Sequence, residues 1–171
     1  MTFESSIPYN LRMVLRHEQQ PKSEIEATPF IPYSEGLQQA LALAKKEAVR
    51  RVDFYLSTGD LLLGLSQEET AKKALGNFGL TAERIRSNMP VSVRKGNQLP
   101  EEWQIRLSET TEIAMELANA EAIRTGAKKV TPIHAVIGII LGVSGFARGV
   151  IEELSPKDPK DILIKLRKTS S

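Results

Sequence analysis

Few residues of this chain have the types and spacing that catalysis or metal binding requires. The chain contains no cysteine, which excludes disulfides, cysteine nucleophiles and metal sites built on thiolates. Its only histidines, His17 and His134, lie far apart in the sequence, so a histidine-rich metal site is not expected. No serine–histidine–aspartate set, pair of catalytic carboxylates or glycine-rich phosphate cradle stands out. We therefore expect no catalytic residue, no bound metal and no cofactor.

Four polar residues stand at the starts of two apolar segments, where a side chain can cap a helix or contact a partner. Thr58 and Asp60 precede the apolar run that begins at Leu61, and Thr131 and His134 mark the start of a second run. A histidine in the first turn of an apolar helix usually caps that helix or packs between units. We keep all four as candidate partner-binding residues.

The single tryptophan, Trp103, is the fifth candidate for a partner contact. It follows Pro100, Glu101 and Glu102 and lies at the entrance to the second helical region. Two interpretations stay open for its side chain. It either staples the linker to the next helix or stands exposed as an anchor, since tryptophan is enriched among the residues that dominate interfaces.

An acidic and a basic residue recur three positions apart, as Glu47 with Arg50 and as Glu121 with Arg124. Residues at i and i+3 share one face of a helix and can form an ion pair. Such a pair contributes only about 0.3 kcal/mol when it is exposed. Its recurrence therefore indicates a structural role that two copies of one unit share, rather than a binding site.

Helical periodicity and capping residues place these groups on a series of helices. One apolar face is formed by Leu37, Leu41, Ala44, Ala48 and Val52. Ser34 is the expected N-cap of this helix, because its hydroxyl can accept a bond from the first turn. The further predicted elements are a buried helix at 60–65 with Ser57 and Asp60 in a capping-box arrangement, a helix at 68–77, and a helix at 81–88 capped by Thr81.

Two proline-containing segments lie outside this helical pattern. Residues 1–32 contain four prolines, lack the apolar run of a secretory signal, and hold one short helical possibility at residues 11–17. Residues 89–100 have the composition of a linker, with a weak tendency to form a hairpin. We therefore expect an N-terminal extension and a separate linker.

The sequence repeats itself at a shift of 74 residues. Under that shift the following residues coincide: Ser34, Glu47, Ala48, Arg50 and Gly64 with Ser108, Glu121, Ala122, Arg124 and Gly138. Matches in a cap, a long helix and the glycine of the next helix are difficult to obtain by chance, and such repeats define the fold. The predicted organisation is an extension at 1–32, a first repeat at 33–88, a linker at 89–100 and a second repeat at 101–168.

Each unit has a long helix ending in Glu-Ala-x-Arg, a short apolar helix containing a glycine, and a helix of the form Ala-x-x-x-Leu or Ala-x-x-x-Ile. This pattern, clearest in the stretch TGDLLLGL at residues 58–65, resembles the Clp-N double repeat of the Clp ATPase chaperones. The resemblance covers residues 33–166. It implies an all-α fold in which two pseudo-symmetric four-helix repeats pack as one domain.

The chain departs from the Clp-N family pattern in two respects. It has no Gly-x-x-x-x-Gly-Lys-Ser/Thr phosphate loop, so we expect no ATP hydrolysis of the chaperone type. The family usually has Thr-Glu-His before the leucine run, and in some bacterial members that glutamate helps to bind phosphorylated arginine. Gly59 and Ile133 hold the corresponding positions here, so a phosphoarginine pocket of that type is not expected.

The resemblance implies a non-catalytic protein-binding module. Its partners would be a Clp ATPase, a Clp protease core or their substrates, with the chain as an adaptor, a core-stabilising accessory factor or a decoy. An alternative from another class is a small-molecule-sensing or ligand-sequestering regulatory domain, with its ligand in the groove between the repeats.

Composition sets limits on location and on other partners. The 171 residues include 23 Lys and Arg against 21 Asp and Glu, a net charge of +2, which argues against a nucleic-acid partner. The most apolar stretch, residues 133–143, is about half as long as a membrane span, which needs roughly 20 residues. We expect no membrane partner and a cytoplasmic protein, or a plastid stromal one if the chain is a processed organellar protein.

Overall fold

The computed structural model of the chain describes residues 29–90, 99–142 and 145–169. Eight α-helices, one 3-10 turn and two short strands lie within these ranges. The helices are α1 (Glu35–Arg50), α2 (Thr58–Leu65), α3 (Glu69–Gly76), α4 (Ala82–Asn88), α5 (Glu109–Arg124), α6 (Pro132–Leu141), α7 (Phe146–Leu154) and α8 (Pro159–Thr169). The strands are β1 (Tyr55–Leu56) and β2 (Arg106–Leu107), and the 3-10 turn is Glu102–Gln104.

The two halves of the described chain have the same order of helices. The bounds of α5 lie 74 residues after those of α1, and α6 begins 74 residues after α2. The N-caps correspond as well, because Ser34 and Ser108 each accept a hydrogen bond from the backbone N–H three residues later. The predicted all-α fold of two pseudo-symmetric four-helix repeats is confirmed.

The short helices α2 and α6 form the centre of the core because neither has an exposed side. All eight residues of α2 are buried, and so are nine of the ten residues of α6. The largest fully buried side chains around them are aliphatic, as the low aromatic content predicts. The central position of these two helices agrees with the expectation from their sequences.

A glycine in the middle of each central helix allows the long helix to cross it at backbone contact. A Cβ atom on Gly64 would collide with the backbone oxygen of Ala40 in α1. A Cβ atom on Gly138 would collide with the backbone oxygen of Ala114 in α5. The recurrence of glycine at a shift of 74 residues therefore reflects the same close helix crossing in both repeats.

Two short parallel pairings join the repeats, and the sequence pattern does not predict them. Leu56 in β1 lies opposite Leu107 in β2, and an isolated bridge pairs Tyr33 with Val130. Under the 74-residue shift Tyr33 corresponds to Leu107 and Leu56 to Val130, so the two pairings are equivalents of each other. Each repeat contributes one segment to each pairing, as a pseudo-two-fold arrangement requires.

The end of the predicted N-terminal extension is fastened to the second repeat. The side chain of Asn119 in α5 accepts a hydrogen bond from the Ile31 N–H at 2.9 Å and donates one to the Pro29 carbonyl oxygen at 3.0 Å. The chain therefore enters the domain along α5. The helical possibility at residues 11–17 and the hairpin tendency at residues 91–98 lie outside the described residues.

No single helix among the described residues has both the length and the apolar character of a membrane span. Helices α6 and α7 meet the length and composition criteria only when they are taken as one bent pair, with 94° between them.

Candidate functional site

The first turn of α2 contains the predicted residue Asp60, whose carboxylate is fully buried. Its Oδ2 atom accepts hydrogen bonds from the Ser57 N–H at 2.9 Å and from the Ser57 hydroxyl at 2.6 Å. The Asp60 N–H in turn donates to Ser57 Oγ at 3.2 Å. These reciprocal bonds satisfy free N–H groups at the helix start, and the predicted capping box is confirmed.

Arg51, which follows the end of α1, is the charge partner of Asp60. Its Nη2 atom donates to Oδ2 at 3.3 Å, and its Nε atom lies 3.2 Å from Oδ1 without the alignment of a hydrogen bond. Burial raises the pKa of Asp60, while the hydrogen bonds from Ser57 and the charge of Arg51 oppose part of that rise. An unpaired buried carboxylate is strongly destabilising, so Arg51 and Asp60 form one structural unit.

In the second repeat the buried His134 occupies the position of Asp60. Its Nδ1 atom accepts a hydrogen bond from the Thr131 N–H at 3.1 Å, which places the proton of the neutral ring on Nε2. Nε2 lies 3.3 Å from Thr125 Oγ1, which donates its own hydrogen to a backbone carbonyl of α5. Burial lowers the pKa of His134 and favours the neutral imidazole.

The two repeats connect the end of the long helix to the start of the short helix with different residue pairs. Thr125 lies 74 residues after Arg51, and His134 lies 74 residues after Asp60. The first repeat therefore joins the end of its long helix to the start of its short helix by an ion pair. The second repeat makes the same connection by a hydrogen bond between neutral groups.

Thr58 and Gly59 lie in the contact between the repeats rather than at the surface. The Thr58 hydroxyl accepts a hydrogen bond from the Ala147 N–H in the first turn of α7 at 3.2 Å. A Cβ atom on Gly59 would lie 2.7 Å from the sulfur of Met89 and 2.8 Å from the ring of Phe146. A glutamate at this position would have to displace both side chains, which accounts for the glycine where the Clp-N pattern has glutamate.

The four polar candidates have structural roles in this geometry. Thr58, Asp60 and His134 are buried and present no surface to a partner. Thr131 is half-buried and is the N-cap of α6, where its hydroxyl accepts from the His134 N–H at 3.5 Å. Their capping and packing bonds use the groups that would otherwise be available to a ligand.

The recurring Glu-x-x-Arg pairs extend into clusters that join the first helix of each repeat to its last. Glu47 accepts from Arg50 in its own helix and from Arg86 in α4, at 3.3 and 2.7 Å. The buried Glu121 forms ion pairs in the same way with two arginines, one in α5 and one in α8. The hydrogen bonds and charges of these arginines lower the pKa of Glu121 from 4.5 to about 2. Both clusters connect helices within one repeat, which agrees with the structural role that their recurrence predicts.

Trp103, the fifth candidate, is 79% exposed, so it does not staple the linker to the next helix. It lies with Phe54 and Tyr55 around an open cleft of about 500 Å³, together with Gln104 and Arg106. Tyr55 is 51% exposed and Phe54 is 39% exposed. We call these five residues the aromatic patch. The exposure excludes the staple, and a partner contact at Trp103 stays a prediction.

The aromatic patch combines residues that are distant in the sequence. The pairing of β1 with β2 brings Tyr55 beside Arg106 and thereby places the segment before α2 next to the segment before α5. The helical pattern does not predict Phe54 and Tyr55, because they lie three and two residues before the predicted N-cap Ser57 and share no periodicity with a helix. Their signal in the sequence is that two large aromatic residues stand at a polar helix boundary in a chain with few aromatics.

These features define the class of the protein as a duplicated four-helix repeat domain. The family model described as the Clp repeat (R) N-terminal domain matches residues 32–154, and the chain belongs to this family. The chain is 31% identical over 127 residues to the negative regulator of genetic competence ClpC/MecB of Bacillus subtilis. It is also 31% identical over 127 residues to the chaperone protein ClpB of Oceanobacillus iheyensis. Each match covers 73% of this chain but only 15% and 16% of those relatives, respectively.

Solved structures of Clp N-terminal domains have the same fold. The N-terminal domain of the chaperone ClpD from Arabidopsis thaliana matches with a TM-score of 0.67 at 18% identity, over 85% of this chain and 98% of that one. The Hsp104 N-terminal domain from Candida albicans matches with a TM-score of 0.66 at 14% identity, over 82% and 92%. At these identities the likeness establishes the fold alone.

Proposed function

We propose that this chain is a non-catalytic protein-binding module of the Clp chaperone–protease system, acting as an adaptor or accessory factor. The observation that carries the proposal is the aromatic patch, where Trp103, Tyr55 and Phe54 stand exposed around one cleft. Contiguous exposed apolar surface of this kind marks interaction sites in soluble proteins. The partner is a Clp ATPase, a Clp proteolytic core or a protein that these handle.

Chemistry within the patch supports contact rather than catalysis. Besides the Tyr55 phenol, its polar groups are those of Gln104 and Arg106, and none of its five residues is a carboxylate, an imidazole, a thiol or an aliphatic hydroxyl. Tryptophan, tyrosine and arginine are the residue types most enriched among those that dominate interface energies. An indole and a phenol supply a large contact area at a low cost in conformational entropy.

The proposal is tested by measuring the affinity of the full chain for purified Clp ATPase and Clp proteolytic core of its own host. We expect binding to one of them, and an affinity at least about tenfold weaker for Trp103→Ala combined with Tyr55→Ala. Ile164→Ala is the matched control, because it removes an exposed apolar side chain from α8 on a different surface. Its affinity should equal that of the unaltered chain.

Two outcomes would count against the proposal. One is the absence of binding to any Clp subunit or Clp substrate from the host. The other is a thermal-shift screen in which a small molecule raises the melting temperature while no protein partner is captured, since a ligand that binds only the folded state stabilises it. That second result would favour the small-molecule-sensing alternative.

A further inference from the structure

A second open cleft lies along α5, where the chain enters the domain. It has a volume of about 710 Å³, and its apolar floor includes Phe30, Tyr33, Ile113 and Leu117. Phe30 is 71% exposed and Ile113 is 42% exposed, so this floor is only partly covered by the described residues. We call it the α5 cleft. It is separate from the aromatic patch and shares no lining residue with it.

The rim of the α5 cleft is acidic. Glu112 and Glu116 line it from successive turns of α5, and both are exposed. Like charges at i and i+4 destabilise a helix, and neither carboxylate has an ion-pair partner within the described parts of the chain. Two positive charges at the same spacing would relieve this repulsion.

The sequence before the cleft has the complementary pattern. Arg12 and Arg16 stand four positions apart in residues 11–17, which contain no acidic residue. At helical spacing Leu11, Val14 and Leu15 fall together on one face, as the periodicity of an amphipathic segment requires. An apolar face with a paired positive charge matches an apolar floor with a paired negative charge.

The attachment of the chain brings this segment within reach. Asn119 fastens Pro29 and Ile31 to α5 at the cleft. Residues 18–28 link this segment to Pro29 and can reach at most about 40 Å, at roughly 3.5 Å per residue. The part of α5 that lines the cleft, from Glu112 to Ala120, is about 13 Å long at 1.5 Å per residue, so the connection can span it. A short tether that can span its site gives an effective concentration in the millimolar range, so even a weak contact is populated.

We propose that residues 11–17 of this chain occupy the α5 cleft, with the apolar face of the segment on Phe30, Ile113 and Leu117 and with Arg12 and Arg16 beside Glu112 and Glu116. This intramolecular contact covers one apolar surface of the domain. It does not depend on the proposed role in the Clp system, because it involves neither the aromatic patch nor a partner protein.

The natural absence of cysteine permits a direct test by disulfide trapping in the full chain. Val14→Cys is combined with Ile113→Cys in the α5 cleft. The matched control combines Val14→Cys with Gln39→Cys, because Gln39 is exposed and occupies the equivalent position of the first repeat. We expect mild oxidation to form the Ile113 cross-link several-fold faster, within monomers and at a rate independent of protein concentration.

Charge reversal tests the acidic rim in the same assay. Arg12→Glu with Arg16→Glu should slow the Ile113 cross-link about threefold to tenfold, as expected for the loss of two exposed ion pairs. Adding Glu112→Lys and Glu116→Lys should restore the rate. Equal rates for Ile113 and Gln39, no cross-link at Ile113, or no effect of charge reversal would overturn the proposal. Cross-linked dimers without intramolecular product would also overturn it and would indicate docking on a second copy.

Discussion

At the scale of single residues, the polar groups nearest the core act on the ends of helices. Asp60 and His134 occupy equivalent positions and are both buried, yet one is acidic and the other is a neutral ring. Each is matched by the residue that follows its long helix, Arg51 in the first repeat and Thr125 in the second. The two residues of each pair therefore stabilise the fold together, and exchanging one of them alone disrupts the pair.

This pairing predicts how single and double exchanges behave. Arg51→Thr alone should lower the free energy of unfolding by about 3 kcal/mol, because it leaves the Asp60 carboxylate buried without its charge partner. Arg51→Thr with Asp60→His, which transplants the pair of the second repeat, should recover much of that loss. Urea denaturation of both variants gives the two values. A double variant that is no more stable than Arg51→Thr alone would contradict the pairing.

The turn after α1 contains a second residue-scale prediction. Val52 has a φ of 56°, a conformation in which β-branched residues are strained, and the equivalent Gly126 has a φ of 70°. Val52→Gly should therefore raise the free energy of unfolding by about 0.5 to 1 kcal/mol, and Gly126→Val should lower it by about 1 to 2 kcal/mol. A Cβ atom on Gly126 meets no neighbour within 4 Å, so the loss would come from the backbone alone. Effects of the same sign in chemical denaturation would contradict this account.

Because of Glu121, the free energy of unfolding of the domain should decrease as the pH falls through the acidic range. The pKa of Glu121 is lowered from 4.5 to about 2, so its contribution is present above pH 4.5 and is lost as the pH falls towards 2. That contribution is about 1 to 3 kcal/mol, reduced from its full value because both arginines are partly exposed. Glu121→Gln should flatten the stability profile between pH 5 and pH 2 in thermal unfolding, a window set by the two pKa values. The exposed Glu153→Gln is the control and should leave the profile unchanged.

At the scale of elements, the sequence predicts the helices well because caps and periodicity are local. The N-caps Ser34, Ser57 and Thr81 all stand where the hydroxyl residues predict them. The pairing of β1 with β2 could not be predicted, because strands of two residues are fixed by the docking of the repeats and have no pattern of their own. The aromatic patch could not be predicted for the same reason, since only that pairing assembles it.

The crossing of α5 over α6 gives a prediction at this scale. Gly138→Ala places a methyl group against the backbone of α5 at Ala114 and Ala118. Neither helix backbone can move to make room without separating α5 from α6. We expect a loss of about 2 to 3 kcal/mol in the free energy of unfolding. Gly149→Ala in α7 is the control, because its Cβ meets nothing within 4 Å and alanine favours a helix by about 1 kcal/mol over glycine. A neutral Gly138→Ala in denaturant titration would refute the close-crossing argument.

At the scale of the whole molecule, the duplication produces two equivalent pairings between the repeats but different surfaces around them. The 74-residue shift relates Phe54 and Tyr55 to Lys128 and Lys129, so these two aromatic residues of the patch have no aromatic counterparts in the second repeat. The α5 cleft is lined by α5 of the second repeat together with Phe30 and Tyr33 of the incoming chain, which Asn119 holds in place. The core thus keeps the symmetry of the repeat, while the two candidate contact surfaces depart from it.

The central claim is that the aromatic patch is the surface that meets a protein partner. Trp103 is the only tryptophan of the chain and is exposed, so its fluorescence reports directly on that surface. The chain is titrated with a Clp subunit that lacks tryptophan, or the fluorescence of the Clp subunit alone is subtracted. We predict a blue shift of the Trp103 emission and protection from acrylamide quenching as the complex forms. A complex that sediments as one species while Trp103 emission and quenching stay those of the free chain would contradict the claim.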